Sequence, residues 1–328
     1  MKSLAVSFAA ILASASPSSG DPLPSWNAGP AKQSVTDFVE KVSDSSNKDF
    51  VPVEERIAVF DNDGTLWCET PLPPQAFYAF AEVERLLPEN PEWKDNPAIQ
   101  ALQKKDFGPL LADHYKGLLD IIAKSHADRT PEQFSEGVTN WLKTAKHPKF
   151  GMAYNETIYQ PMLEVLSYLR DHGFKTYIVS GGGQDFMRVF SDKTYGIIPE
   201  QVIGTYSSAK FEMVDGKPVL TKGMDNLFID DKAGKPEAIH RFIGRRPIAC
   251  FGNSDGDQAM LEYTTIGNPR PSFGLIVHHT DAEREYAYDA KPIASGRLVT
   301  GLEAAKQHGW TVVDMKNDWK SVFPQAAE

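Results

Sequence analysis

Short apolar runs that stop abruptly at polar, glycine-bearing loops recur along the chain. Ile57-Ala58-Val59-Phe60 gives way to Asp61-Asn62-Asp63-Gly64-Thr65, Lys175–Val179 to Ser180-Gly181-Gly182-Gly183, and Ile248-Ala249-Cys250-Phe251 to Gly252-Asn253-Ser254-Asp255-Gly256-Asp257. A few consecutive apolar residues bounded by turn formers read as a strand buried on both faces. Gly274–Val277 and Thr311–Val313 supply two further strands of the same kind. Between the runs the apolar residues recur at helical spacing. Val35, Phe38, Val39 and Val42 mark a leading helix over Ser34–Val42, and Pro161–Asp171 marks another that ends near Gly173. Phe77–Leu87, Ala98–Leu111, Tyr115–Ala123 and Pro131–Lys143 read as helices, the last opened by Thr130 with Pro131 at its first position. A helix is also expected over Lys235–Phe242, and another, capped, after Thr280. Phe211–Leu220 alternates around Asp215-Gly216, the signature of a two-residue hairpin.

Strand and helix alternate throughout, so the expected fold is α/β with a doubly wound parallel sheet. The helices between the first and second strands read as an inserted helical cap over residues 71–155. Residues 31–70 and 156–328 then form the core. Met1-Lys2 and the apolar stretch from Leu4 to Ala15, followed by a Pro- and Gly-rich segment, read as a signal peptide over residues 1–20. That places the mature protein in the periplasm or outside the cell, with the cytoplasm as the alternative.

Composition narrows the chemistry. Among 328 residues no apolar run reaches the roughly eighteen a membrane span requires, so no membrane insertion of the mature form is expected. A formal charge of -10 leaves no basic stripe to displace counterions from a phosphate backbone, which argues against a nucleic-acid partner. The two cysteines, Cys68 and Cys250, have no metal-ligand spacing. His278 and His279, near Asp281, Glu283 and Arg284, match no metal site either and are assigned to packing.

Parallel sheets bind ligands beyond the C-terminal ends of their strands. Three such ends carry Asp-x-Asp, Ser-Gly-Gly and Gly-Asn-x-x-x-Asp, which brings carboxylates, a hydroxyl and glycine N–H groups to one edge. Oxygen-only ligands suit a hard ion such as Mg²⁺, which takes one or two carboxylates and leaves its other positions to water and substrate phosphate.

Asp61-Asn62-Asp63-Gly64-Thr65-Leu66, Ser180-Gly181-Gly182, a lysine at Lys235 and Gly252-Asn253-Ser254-Asp255-Gly256-Asp257 resemble, in order, the four motifs of the haloacid dehalogenase superfamily. Val179-Ser180-Gly181-Gly182 and the helical insertion are most similar to its phosphoserine phosphatase and phosphorylcholine phosphatase group. The resemblance spans residues 55 to 280. It implies a Rossmann-like core and a Mg²⁺-dependent phosphatase hydrolysing small phosphate monoesters through an aspartyl-phosphate. A phosphotransferase and a non-catalytic binding protein are the alternatives. By the same resemblance Asp61 is the nucleophile, Asp63 the general acid and base, and Lys235 the charge-neutralising cation, with Lys232 or Lys222 as its rival. Ser180, Gly181 and Gly182, with Thr65, would hold the substrate phosphoryl group, and Glu69 would face a substrate amine. Asp61, Asp63, Asn253 and Asp257 would hold the metal. The family usually carries Asp at the position of Asn253, so one ligand here would be neutral. Trp67 is expected to pack; a ring offered to a quaternary ammonium is the other reading.

Overall fold

The computed structural model describes residues 20–325. The leader expected at residues 1–20 lies outside the described residues except for Gly20. Six parallel strands form one sheet: β1 (Ile57–Phe60), β2 (Lys175–Gly183), β3 (Val202–Thr205), and, beyond an antiparallel hairpin of β4 (Ala209–Val214) and β5 (Lys217–Lys222), β6 (Ala249–Gly252), β7 (Phe273–His278) and β8 (Thr311–Asp314). Their order across the sheet is β3-β2-β1-β6-β7-β8. The chain therefore winds outward one way from β1 and the other way from β6, and the reversal falls between these two neighbours. That switch point, where Val59 stands opposite Cys250, is where a doubly wound sheet opens a binding crevice.

Helices cover both faces, which is why β1 is apolar at every position. Ala58 and Phe60 face a core with α1 (Pro30–Ser43) and α6 (Gln160–Asp171). Ile57 and Val59 face the opposite layer, with residues of α9 (Gly234–Ala238), α10 (Gln258–Thr265) and α11 (Thr300–His308). Between β1 and β2 run α2 (Pro74–Leu86), α3 (Pro97–Gln103), α4 (Gly108–His126) and α5 (Pro131–Leu142). Leu72, Ala79, Phe80, Val83, Ile99, Leu102, Leu110 and Ile121 give this helical insertion a small core of its own. Short helices α7 (Gln184–Arg188) and α8 (Ser191–Tyr195) follow β2, and α12 (Met315–Asp318) closes the chain. Among the described residues no helix is long and apolar enough to cross a membrane.

The structure differs from the sequence pattern at four places. The helix expected over Ala98–Leu111 is broken: α3 ends at Gln103, Lys105 turns into the left-handed region at φ 55°, and α4 starts afresh at Gly108 with Pro109 in its first turn. Pro109 has no N–H to offer a continuous helix, so it opens a new one instead. Ser180–Gly183 are not a loop but the bulged end of β2, whose register against β3 shifts between Ser180 and Gly183. Strand β3 is four residues with a central glycine, too short for periodicity to register. After Thr280 there is a single turn rather than a helix, closed by the Asp281 carboxylate accepting from the Glu283 and Arg284 N–H groups. The hairpin forms as read, with Asp215 and Gly216 at φ 51° and 73°, both in the left-handed region a type I′ turn demands.

Candidate active site

Asp61 sits at the C-terminal end of β1, its N–H bonded to the carbonyl of Phe251 on β6 (2.9 Å). The loop then doubles back: Leu66 N–H reaches the Asn62 carbonyl (2.8 Å) and Gly64 N–H reaches that of Trp67 (2.8 Å). Gly64 takes φ 77°, where a side chain would be strained, and a Cβ there would lie 2.1 Å from Asn253 Nδ2. His279, fully buried, braces this turn through Gly64 O (2.8 Å), and its other ring nitrogen meets Glu285 (3.0 Å).

The loops after β1 and β6 and the bulged end of β2 converge on a cavity of about 510 Å³. Asp61, Asp63, Glu69, Ser180, Gly181, Gly182, Lys235 and Asp257 all line it. Thr65 and Asn253 do not line it; Thr65 Oγ1 donates to Asn253 Oδ1 (3.1 Å). Lys235 is 2% exposed and its ammonium donates to Asp61 Oδ1 (2.7 Å), Asp257 Oδ1 (2.6 Å) and the Val179 carbonyl (3.0 Å). Its two rivals stand elsewhere: Lys232 is exposed at the cavity rim, and Lys222 pairs with Asp185. Asp257 Oδ2 accepts from Asn253 N (2.9 Å), Ser254 N (3.0 Å) and Ser254 Oγ (3.2 Å), so both its oxygens are engaged.

Asp61 and Asp257 share one ammonium, and the acidities of Asp61, of nearby Asp63 and of Lys235 are all displaced. Burial, then the charge of Asp257, pushes the Asp61 carboxyl well above its usual range despite Lys235. Burial raises Asp63 to about 6, against the hydrogen bond from Trp67 Nε1 (2.7 Å) and the charge of Lys235. Burial alone would lower Lys235; Asp257 and Asp61 overcome it and hold the ammonium above its ordinary range. Ser180 Oγ accepts from Gly182 N (3.2 Å), which leaves the hydroxyl proton to be donated elsewhere. Gly182 is there for room, because a Cβ would sit 3.2 Å from Asp63 Oδ2 and 3.6 Å from Ser180 Oγ.

Two side chains of this loop are engaged within the protein, Glu69 against the expectation of a carboxylate facing a substrate amine and Trp67 in line with its expected packing. Glu69 does border the cavity, but its carboxylate is occupied: Oε1 accepts from Asn253 Nδ2 (2.7 Å) and Tyr288 OH (2.9 Å), and Oε2 from Ser295 Oγ. Trp67 offers no ring to a ligand. It is wholly buried, stacks on Phe190 (4.6 Å between centroids) and uses its N–H on Asp63.

Other participants carried no local signal. Gln75 of α2 accepts from Gly183 N (2.7 Å) and lies against His126 of α4 (3.0 Å), tying the helical insertion to the end of β2. Asp255 is held by Arg297 and by the N–H groups of Val299 (2.8 Å) and Gly301 (2.9 Å). Asp230 is buried near Lys235 with both oxygens unpartnered among the described residues, and burial raises it to about 7.

As a test of metal chemistry, the donors around Asp61 are oxygens only, and burial raises Asp61 and Asp63, with the charge of Asp257 added at Asp61, so a divalent cation there would favour the ionised carboxylates. Among the described residues no three His, Cys, Asp or Glu side chains converge at ligand spacing.

A family model for haloacid dehalogenase-like hydrolases matches residues 58–262, and the chain belongs to that family of hydrolases. Among solved structures it is similar to a conserved protein of unknown function from Anaerococcus prevotii DSM 20548, with TM-score 0.54 and 16% identity, over 90% of this chain and 94% of that one. It is also similar to a protein of unknown function from Bordetella pertussis Tohama I (TM-score 0.46, 15% identity, 80% and 99% of the two chains). A third is a phosphoserine phosphohydrolase-like protein from Francisella tularensis subsp. tularensis SCHU S4 (TM-score 0.40, 17% identity, 68% and 87%). At these identities the likeness concerns the fold. No curated protein matches the sequence.

Proposed function

We propose that the protein is a Mg²⁺-dependent phosphatase that hydrolyses small phosphate monoesters through a phosphoryl group carried on Asp61. The observation that carries the reading is the Lys235 ammonium, bonded to Asp61 (2.7 Å) and Asp257 (2.6 Å) on the floor of a cavity whose other wall is Ser180-Gly181-Gly182. An Asp61 oxygen attacks phosphorus as the bond to the leaving alcohol breaks, and protonated Asp63 gives its proton to the departing oxygen. Water then attacks the phosphoryl group, Asp63 takes up its proton, and the Asp61 carboxylate is released with inorganic phosphate. Asp63, raised to about 6, is poised for both roles near neutral pH. Ser180 and the glycine N–H groups would hold phosphoryl oxygens, and Lys235 would offset charge on the attacking carboxylate. Thr65 acts at one remove, through Asn253.

Asp61, the carbonyl of Asp63 and the Asn253 side-chain oxygen would hold Mg²⁺, while Asp257 serves by fixing Lys235. When bound, the ion would neutralise the approaching phosphate and keep Asp61 ionised.

The helical insertion contributes Pro73, Gln75, Ala76, Tyr115, Leu118 and Ile122 to the cavity, none of them charged. A cap closing over the site would thus favour a small leaving group that is neutral or apolar over one bearing a carboxylate or a second phosphate. Hydrolysis of phenyl phosphate, glycerol phosphate, phosphorylcholine, phosphoserine and a sugar bisphosphate, with Mg²⁺ and with a chelator, tests the reading. Metal-dependent release of phosphate, fastest from the neutral esters, is expected. Turnover unaffected by chelation contradicts the metal role, and no release from any ester contradicts the activity.

A further inference from the structure

The hairpin of β4 and β5 stands apart from the cavity and keeps an open edge. All six residues of β4 are exposed, and among the described residues no strand but β5 pairs with it. Phe211 lies opposite Leu220 and Met213 opposite Pro218. Cross-strand partners share a face, so these four side chains make one apolar surface, with Phe211, Met213 and Leu220 exposed at 62%, 60% and 46%. A two-stranded hairpin is marginal in water by itself, and a long uncovered edge is a template for another strand. The edge of β5 is partly taken: Lys222 N–H donates to the Arg129 carbonyl (2.8 Å) and its own carbonyl accepts from Asp128 N–H (3.0 Å).

The ladder fixes which groups of β4 are free. A two-residue turn closes on a hydrogen-bonded pair, here Val214 and Lys217, so Val214, Glu212 and Lys210 direct their N–H and C=O at β5. Ala209, Phe211 and Met213 point theirs outward. The contacts of Lys222 agree, because it is the partner of Ala209 and also points outward, to the 128–129 loop.

We propose that two copies of the chain pair antiparallel through the free edge of β4, with the twofold axis at Phe211, to make one four-stranded sheet. Outward-pointing residues must meet, which leaves few registers, and charge selects among them. An axis at Lys210 or at Glu212 would set that residue against its own like charge. An axis at Met213 would leave Glu212 opposite Val214 and Lys210 beyond the end of the strand. The axis at Phe211 alone sets Lys210 of each copy opposite Glu212 of the other, twice over, in the pairs where side chains approach most closely. Lys210 and Glu212 are exposed and lie on one face, 2.7 Å apart, so both are placed to reach across. Phe211 then faces its counterpart, with Cα atoms about 5.5 Å apart in a hydrogen-bonded pair.

Sedimentation of the purified full chain over a concentration series tests the dimer, and substitutions on β4 test its register. The wild type is expected to dimerise reversibly. Lys210→Glu turns both charge pairs into repulsions and should weaken the dimer at least about tenfold; adding Glu212→Lys to it restores opposite charges and should restore the dimer. Phe211→Pro removes an outward N–H and no bond within the hairpin, so it should give a monomer whose circular dichroism matches wild type. Phe211→Cys should form a disulfide between copies under oxidised glutathione, since 5.5 Å suits that bond, whereas Met213→Cys should not; the native Cys68 and Cys250 are buried. A wild type that stays monomeric at every concentration would overturn the proposal. A dimer indifferent to Lys210→Glu, a charge swap that fails to restore it, or crosslinking through position 213 in place of 211 would overturn it equally.

Discussion

Replacing Lys235 with methionine keeps the length of the side chain and removes only the ammonium. In the folded protein that leaves Asp61 and Asp257, 6% and 0% exposed, without the cation that touches both. Removing one partner of a buried ion pair costs about 3–5 kcal/mol, because the remaining charge cannot regain its water. The lower half of that range applies, since Asp257 keeps three donors on its other oxygen and Asp61 can escape by taking up a proton. At about 2 °C per kcal/mol for a protein of this size, the melting temperature should fall by roughly 6–8 °C. Loss of the cation beside the attacking carboxylate should lower kcat about 10²–10³-fold, the usual consequence of removing one preorganised electrostatic group. Thermal melting and steady-state kinetics on one monoester measure both quantities in the same preparation. Lys232→Met serves as the control, because that side chain is exposed at the rim. A Lys235→Met protein that melts within 2 °C of wild type, or that keeps most of its kcat, would refute the reasoning.

Three further outcomes follow from the same geometry. Gly182→Ala puts a methyl 3.2 Å from Asp63 Oδ2, so kcat should fall roughly tenfold with melting unchanged; unaltered kinetics would mean the close approach has no catalytic part. His126 is held neutral inside the helical insertion, lowered from 6.5 to about 3 by burial and by Lys222. The unfolded chain binds its proton below pH 6.5 while the folded one does not until about 3, so its contribution is present above 6.5 and lost as the pH falls towards 3. Between pH 7 and pH 5 that loss is about 2 kcal/mol, and denaturant titrations should show it in wild type but not in His126→Gln. Leu118→Lys, which sets a cation on the uncharged wall, should shift the ratio of kcat/KM for phosphoserine over phenyl phosphate upward about three- to tenfold; no shift would place the leaving group elsewhere.

Much of the fold was legible because its signals are local. Apolar runs such as Ile57–Phe60 need no partner to be read, and those ending at Phe60, Val179 and Phe251 led straight to residues that border the cavity. The type I′ turn at Asp215-Gly216 was equally plain, since few residue pairs accept two left-handed conformations. The break between α3 and α4 was missed because helical periodicity runs across it, and only Pro109 announced it. Of the site, Asp61, Asp63, Ser180, Gly182 and Asp257 meet as their strand-end positions suggested, and Lys235 on α9, which only the family resemblance pointed to, meets them. What escaped was everything joined by tertiary contact alone. Glu69 sits two residues after Trp67 in a loop, yet its partners Asn253, Tyr288 and Ser295 are some two hundred residues away in sequence. Gln75 and His126 likewise look like ordinary helix residues until folding brings them to Gly183. Asp230 is unremarkable in sequence as well, and only burial sets it apart.

The central claim is that the phosphoryl group passes through Asp61. Rapid acid quenching of the enzyme during turnover of a phosphate monoester in Mg²⁺, followed by peptide mapping, tests it most directly. The account predicts a phosphorylated peptide whose modification lies on Asp61, formed at the rate of the first turnover and absent from Asp61→Asn, which should also be inactive. Steady turnover with no phosphorylated peptide, or activity retained by Asp61→Asn, would contradict it.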